Sequence, residues 1–187
     1  MNSIRIFCYL ITTLIFISVT AQNQKIKFNS INTGGIATGE IGTYPVLQTI
    51  NGVQYKKWYA GIGAGYDAYY YKTIPLFFDA RRFIDKQNKF LIYGDAGYNF
   101  PMKNLPKESS WYSSYHFSGG FYGEAGLGYK TKFIKNTSFL LVTGYSYKKL
   151  FNKIEVINPC LIGPCPENVY EYNYSFRRII LKAGIIF

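Results

Sequence analysis

The last ten residues of the chain alternate with a period of two. Ile179, Leu181, Ala183, Ile185 and Phe187 fall on one side, and Arg178, Ile180, Lys182, Gly184 and Ile186 on the other. Successive strand residues point to opposite faces, so the pattern commits this segment to a strand with one uniformly apolar face. The same alternation recurs upstream, and helical periodicity does not. Eight strands are expected: 25–37, 40–50, 53–70, 74–84, 89–100, 117–131, 137–151 and 170–187. The first is the faintest, because of Gly34-Gly35 and its polar residues.

The connections sort by length. Asn51-Gly52 reads as a two-residue hairpin turn, since both residues tolerate positive φ. Asp85–Asn88 and Lys132–Asn136 are also short, and they alternate with longer links, notably Pro101–His116 and Asn152–Val169. If both termini lie at one end, the three short links share that end.

The faces sort as well. In the third strand Trp58, Ala60, Ile62, Ala64, Tyr66 and Ala68 oppose Lys57, Gly61, Gly63, Gly65 and Asp67. In the fifth, Phe90, Ile92, Ala96, Tyr98 and Phe100 oppose Tyr93, Asp95, Gly97 and Asn99. In the sixth, Phe121, Ala125, Leu127 and Tyr129 oppose Tyr122, Glu124, Gly126, Gly128 and Lys130. Apolar residues outside and small, polar or charged residues inside is the arrangement a hydrocarbon surrounding demands. Every backbone polar group must then be paired in a closed ladder. The fold expected is all-β: an eight-stranded antiparallel transmembrane β-barrel of up-and-down topology.

The chain begins with a segment of a different kind. Met1–Ala21 has one early cation, Arg5, an apolar run from Ile6 to Val19, and closes on Val19-Thr20-Ala21. These are the parts of a cleaved secretory signal peptide of the Sec type. Residues 22–187 then form a single barrel domain. No later segment reaches the roughly 18 consecutive apolar residues of a transmembrane helix.

Charge is lopsided. The chain has 21 basic and 10 acidic residues, and only Arg5 of these lies in the leader. Export argues against nucleic acid as the partner. Anionic lipid headgroups, including lipopolysaccharide phosphates, suit the excess better. Outward loops that are both aromatic and basic would carry it: Tyr69, Tyr70, Tyr71, Lys72, Lys103, Lys107, Trp111, Tyr112, Lys148, Lys149 and Lys153.

A loose repeat runs through the strands as Gly63-Ala-Gly-Tyr66, Asp95-Ala-Gly-Tyr98, Gly126-Leu-Gly-Tyr129 and Gly144-Tyr-Ser-Tyr147. Together with Ala60–Asp79, Phe90–Pro101, Gly119–Lys130, Gly144–Lys148 and Arg177–Phe187, it resembles a family of small exported outer-membrane β-barrel proteins. In architecture that family is similar to the OmpA/OmpX-type eight-stranded barrels. The resemblance implies an integral place in the outer membrane of a Gram-negative bacterium, with both termini in the periplasm. It also implies delivery to the barrel-assembly machinery through the C-terminal strand. It covers neither the first strand nor the segment around Cys160 and Cys165.

Candidate site residues follow from these faces. Asp67, Asp79, Arg81, Asp95, Glu124, Arg178 and Lys182 all point inward, and an eight-stranded barrel is just wide enough for side chains to fill it. A packed structural ion network is expected, not a pore or a catalytic carboxylate pair, because general acid–base work needs access to a substrate. Trp58, Tyr129 and Phe187 form one expected aromatic girdle, and Tyr66, Tyr98 and Tyr145 the other. Cys160 and Cys165, spaced C-x4-C, read as a disulfide in an oxidising compartment. A zinc site would need a second half, and the chain has one histidine, His116. No metal and no cofactor are expected.

Three functions fit in different degrees. The first is a non-enzymatic envelope barrel acting in envelope integrity or surface interaction. The second is a lipid A-modifying enzyme using His116 with Ser113, Ser114 or Ser118, although no G-x-S-x-G frames these serines. The third is a soluble exported barrel with an apolar ligand, which would require an apolar interior. Gly63-Ala-Gly-Tyr-Asp-Ala68 matches a dinucleotide fingerprint only formally, since no helix follows it.

Overall fold

The computed structural model describes residues 26–102, 113–134, 137–157 and 167–187. The leader, Lys103, Lys107, Trp111, Tyr112, Cys160 and Cys165 lie outside the described residues. The strands are β1 (Lys27–Gly39), β2 (Gly42–Tyr55), β3 (Trp58–Asp67), β4 (Thr73–Phe83), β5 (Phe90–Pro101), β6 (Ser113–Ser118), β7 (Gly120–Ile134), β8 (Thr137–Ile157) and β9 (Glu167–Ile186). Each pairs antiparallel with its neighbours, and β9 pairs with both β8 and β1. β6 and β7 lie along the same partner, β8, and are one strand broken at Gly119. Eight staves therefore close into a ring with no free edge around its wall, as expected.

The register fixes the barrel's shape. Trp58 pairs in turn with Arg82, Ile92, Leu127, Thr143, Leu181, Ile36 and Pro45 around the ring. The walk returns to β3 at Ala68, whose N–H donates to the Pro45 carbonyl. The strands are thus staggered by ten residues (58 to 68) over one circuit, which for eight strands means a tilt of about 40°.

Two connections differ from expectation. Asn51 and Gly52 do not turn; both lie within β2, and the chain reverses at Lys56-Lys57 with Lys56 at φ 54°. Gly52 is required for another reason. A Cβ there would stand 2.2 Å from the Ala60 carbonyl oxygen on β3. The glycine marks a close backbone approach, which looks in sequence like a turn signal. Lys57, expected inside, is consequently an exposed turn residue.

The long links are also shorter than expected. β8 runs on to Ile157 and β9 begins at Glu167, so β6, β8 and β9 continue past the wall as a three-stranded sheet. The break at Gly119 is another close approach, with the Asn99 carbonyl oxygen 1.9 Å from where a Cβ would be. The connections at 56–57 and 84–89 lie at the end that carries the termini, and the equally short link at 40–41 lies at the other end, so length does not sort them as cleanly as expected.

Inside, the side chains stack in three tiers. At the termini end Ile31, Ile50, Phe83, Leu91, Leu140 and Ile186 form an apolar plug. The middle tier is ionic. The far tier is aromatic, built by Tyr44, Tyr69 and Phe176, with Tyr71 and Tyr174 packed against it. Outside, Ile62, Leu76, Phe78, Leu127, Leu141, Ile179 and Leu181 are all exposed. Among the described residues, the only charged ones on the outward face of the wall are Arg82 at the termini end and Lys149 and Arg177 at the other. On β9 the outward positions from Ile179 to Phe187 carry no charge, and that stretch, at ~3.3 Å per residue and this tilt, is about 20 Å tall.

Candidate functional site

The middle tier gathers Asp67, Asp79, Arg81, Asp95, Glu124, Arg178 and Lys182. Four acids and four cations are buried there: Asp67, Asp79, Asp95 and Glu124 with Arg81, Lys148, Arg178 and Lys182. Strand register places them. Asp79 pairs with Asp95, Asp95 with Glu124, Glu124 with Ser146, and Ser146 with Arg178, so one row crosses five staves.

Partners differ along that row. Arg81 Nε donates to both oxygens of Asp79 at 3.0 and 2.9 Å. Lys182 ion-pairs with Glu124 and donates to Gln48 Oε1. Tyr122 and Tyr93 hydroxyls donate to the two Glu124 oxygens at 2.7 and 3.0 Å. Arg178 bridges Asp67 and Ser146 Oγ. Asp95, between Asp79 and Glu124, has no hydrogen-bond partner on either carboxylate oxygen. Buried ions are costly unless matched, and each of the four cations here is in contact with a carboxylate.

The structure corrects two expectations about loop residues. Lys148 is fully buried; its ammonium lies 3.3 Å from Asp67 Oδ1 and donates to the carbonyls of Tyr69 (3.1 Å) and Tyr71 (2.9 Å). Tyr69 is buried with it, accepting from the Ile41 N–H through its hydroxyl. Lys148 therefore draws the 68–72 connection over the barrel's mouth. Alternation carries the signal that reading missed: Lys148 is in phase with the inward residues Val142 and Ser146. Gln48, Tyr93 and Tyr122 also share inward phase, but nothing in the sequence says that they converge on Glu124.

Of the girdle residues, Trp58, Tyr98, Tyr129, Tyr145 and Phe187 are exposed on the outward face, and Tyr66 is half-buried. Trp58, Tyr129 and Phe187 lie toward the termini end and the other three toward the opposite end. Arg82 stacks its guanidinium 5.0 Å from the Trp58 ring centre.

His116 sits on the projecting sheet, outside the lumen. Its Nε2 lies 3.8 Å from Glu155 Oε2, and Lys153 approaches the same carboxylate at 2.9 Å. Contact with Lys153 holds the Glu155 carboxyl below its usual range. Among the described residues no group of acidic, His or Cys side chains is arranged to hold a metal ion.

The carboxylates are buried between the aromatic tier and the apolar plug.

No protein-family model and no curated protein sequence match the chain. Solved structures do. The chain is similar to outer membrane protein AlkL, determined in lipid bilayers, at 10% identity over 88% of this chain and 90% of that one, with a TM-score of 0.51. It is also similar to outer membrane protein OprG from Pseudomonas aeruginosa, at 14% identity over 85% and 95% of the two chains, with a TM-score of 0.50. The chain thus has the fold of a small outer-membrane β-barrel.

Proposed function

We propose that the protein is an integral, non-enzymatic outer-membrane barrel whose termini face the periplasm and whose projecting sheet makes contacts outside the cell. The carrying observation is the outward face of the wall: it is apolar, closed and free of charge between its two ends. A monomer in water would not expose so large a greasy belt, and about 25 Å is the height of the apolar band on such barrels. The orientation is supported by the two longest links in the sequence, between β5 and β6 and between β8 and β9, both joining strand ends opposite the termini. Lipids and lipopolysaccharide would surround the belt, and the C-terminal strand would present the barrel to its assembly machinery.

The packed, buried ionic tier supports bracing and display over transport or catalysis. On the projecting side, Tyr71 packs against Phe117 and Tyr174, with ring centres 5.1 and 5.5 Å apart, and Tyr172 stacks on Tyr174 at 6.4 Å. This aromatic cluster supports a role in surface interaction or envelope integrity. A soluble carrier of an apolar ligand would need its greasy face inside, and here the centre is ionic. Lipid A modification has less support, since His116 lies on the projecting sheet beyond the apolar belt.

Orientation is tested by single cysteines in a chain whose Cys160 and Cys165 are replaced by serine. A membrane-impermeant maleimide added to intact cells should label Tyr172→Cys and spare Lys86→Cys until the outer membrane is opened. Labelling of both, or of Lys86→Cys alone, overturns the reading.

A further inference from the structure

The termini end of the barrel opens into a recess of about 740 Å³, lined by Lys27, Lys56, Lys130 and Lys132 together with Gln54 and Asn29. Lys27, Lys130 and Lys132 stand in the inward phase of β1 and β7, so their side chains belong to the mouth and not to the outer wall. The Lys130 ammonium lies 4.5 Å from the centre of the Phe83 ring, against the apolar plug. None of the lining residues is acidic.

The contrast with the tier above is the informative part. There, equal numbers of acids and cations are buried together, and each cation but none of the mouth lysines is ion-paired. Among the described residues, no carboxylate side chain comes within salt-bridge distance of the four lysines at the mouth. The same end carries Lys57, Lys86 and Lys89, with Asp85 as the one acid of its described connections. Much of the chain's positive excess therefore collects here, and not on the outward loops. A concave mouth whose charged side chains are all of one sign focuses its field and concentrates counter-ions.

We propose that this vestibule binds a compact soluble polyanion of the oligophosphate class. Lysine ammonium groups act as point charges toward phosphate oxygens, and the Gln54 and Asn29 carboxamides add neutral polar groups. The apolar plug forms a floor, so the anion is held there and not passed through. The β1–β2 ladder is continuous from Lys27, β1 pairs with β9 from Ile31 on, and β7–β8 shifts register between Lys132 and Ile134. The lysines stand on the inner side of these strands, which favours a soluble anion over a lipid headgroup held in the surrounding bilayer. The proposal does not depend on which side of a membrane this end faces.

Calorimetric titration of the full chain, folded in nonionic detergent at low salt, with sodium tripolyphosphate tests it. One saturable site is expected. The double variant Lys130→Ala/Lys132→Ala should weaken it by about tenfold or more, since each lost charged contact is substantial. Lys57→Ala/Lys86→Ala removes the same charge from the same end but outside the recess, and should leave affinity nearly unchanged. Lys27→Ala alone, on a different strand, should also weaken binding. Absence of a saturable site, or equal loss in both double variants, overturns the proposal. The titration is repeated in phosphatidylcholine discs with and without phosphatidylglycerol. Equal affinity in both supports a soluble ligand, and abolition by phosphatidylglycerol overturns it in favour of a headgroup.

Discussion

Arg178 on β9 reaches Asp67 on β3 inside the barrel, joining staves that are not neighbours in the wall. Asp67 also faces Lys148 and accepts from the Tyr69 N–H at 2.9 Å. One carboxylate thus serves two buried cations and one backbone donor. Replacing it leaves both cations uncompensated. Asp67→Asn should lower unfolding free energy by about 3–5 kcal/mol, the cost of breaking a buried pair from one side. Urea titration in detergent micelles, followed by tryptophan fluorescence and gel migration, measures this. A loss below about 1 kcal/mol would mean that solvent reaches the pair.

Asp95 is the opposite case. It stands across the ladder from Asp79 and from Glu124, and neither of its oxygens is hydrogen-bonded. An ionised Asp95 would be opposed by both neighbouring carboxylates with no cation in salt-bridge contact. Asp95→Asn keeps the shape and removes the repulsion, so it should be neutral or stabilising by up to about 1 kcal/mol. Glu124→Gln, by contrast, strips Lys182 of its partner and should cost about 3 kcal/mol or more. The same titration ranks them. If Asp95→Asn proves as damaging as Glu124→Gln, Asp95 has an unrecognised partner.

The turn after β2 gives a sharper test of register. Lys56 holds φ at 54°, a conformation that costs a side chain roughly 1–2 kcal/mol. Lys56→Gly should therefore be tolerated or modestly stabilising. Asn51, exposed in mid-strand, should accept alanine with a change within about 0.5 kcal/mol. Gly52→Ala drives a Cβ against the β3 backbone and should cost about 1–3 kcal/mol. Were the hairpin at 51–52, the sensitivities of Asn51 and Lys56 would be reversed.

That misplaced turn shows which parts of this fold are legible in sequence. Moving the reversal from 51–52 to 56–57 shifts the β2–β3 pairing by an even number of residues, so every side chain keeps its face. Inward Asp67, Asp79, Asp95, Glu124, Arg178 and Lys182 could therefore be read without the correct register. Their partners could not, because which cation meets which acid depends on stagger, and stagger is set by all eight staves at once. Gly52 misleads because a glycine needed for close backbone approach looks the same as a glycine needed for a turn. β1 is faint because its outward Ser30, Asn32 and Thr38 break the apolar face that marks the other strands.

The β4–β5 connection links structure to pH. Asp85 accepts hydrogen bonds from the N–H groups of Gln87 (3.1 Å), Lys89 (2.8 Å) and Phe90 (2.9 Å). Desolvation pushes its carboxyl up, but these backbone donors together outweigh it and hold the group below the usual carboxylate range. A group with a lowered folded pKa stabilises the fold at pH above its unfolded value. That contribution fades as pH falls through the folded value, once the carboxyl is protonated in both states. Wild type should therefore be more stable than Asp85→Asn at neutral pH, and the difference should shrink below about pH 4, the ordinary Asp range. Amide exchange at Phe90 should quicken over the same window in wild type and stay flat in the variant once corrected for intrinsic rates. A stability gap between the two proteins that persists unchanged to pH 2 would show that the carboxylate charge is not what orders this turn.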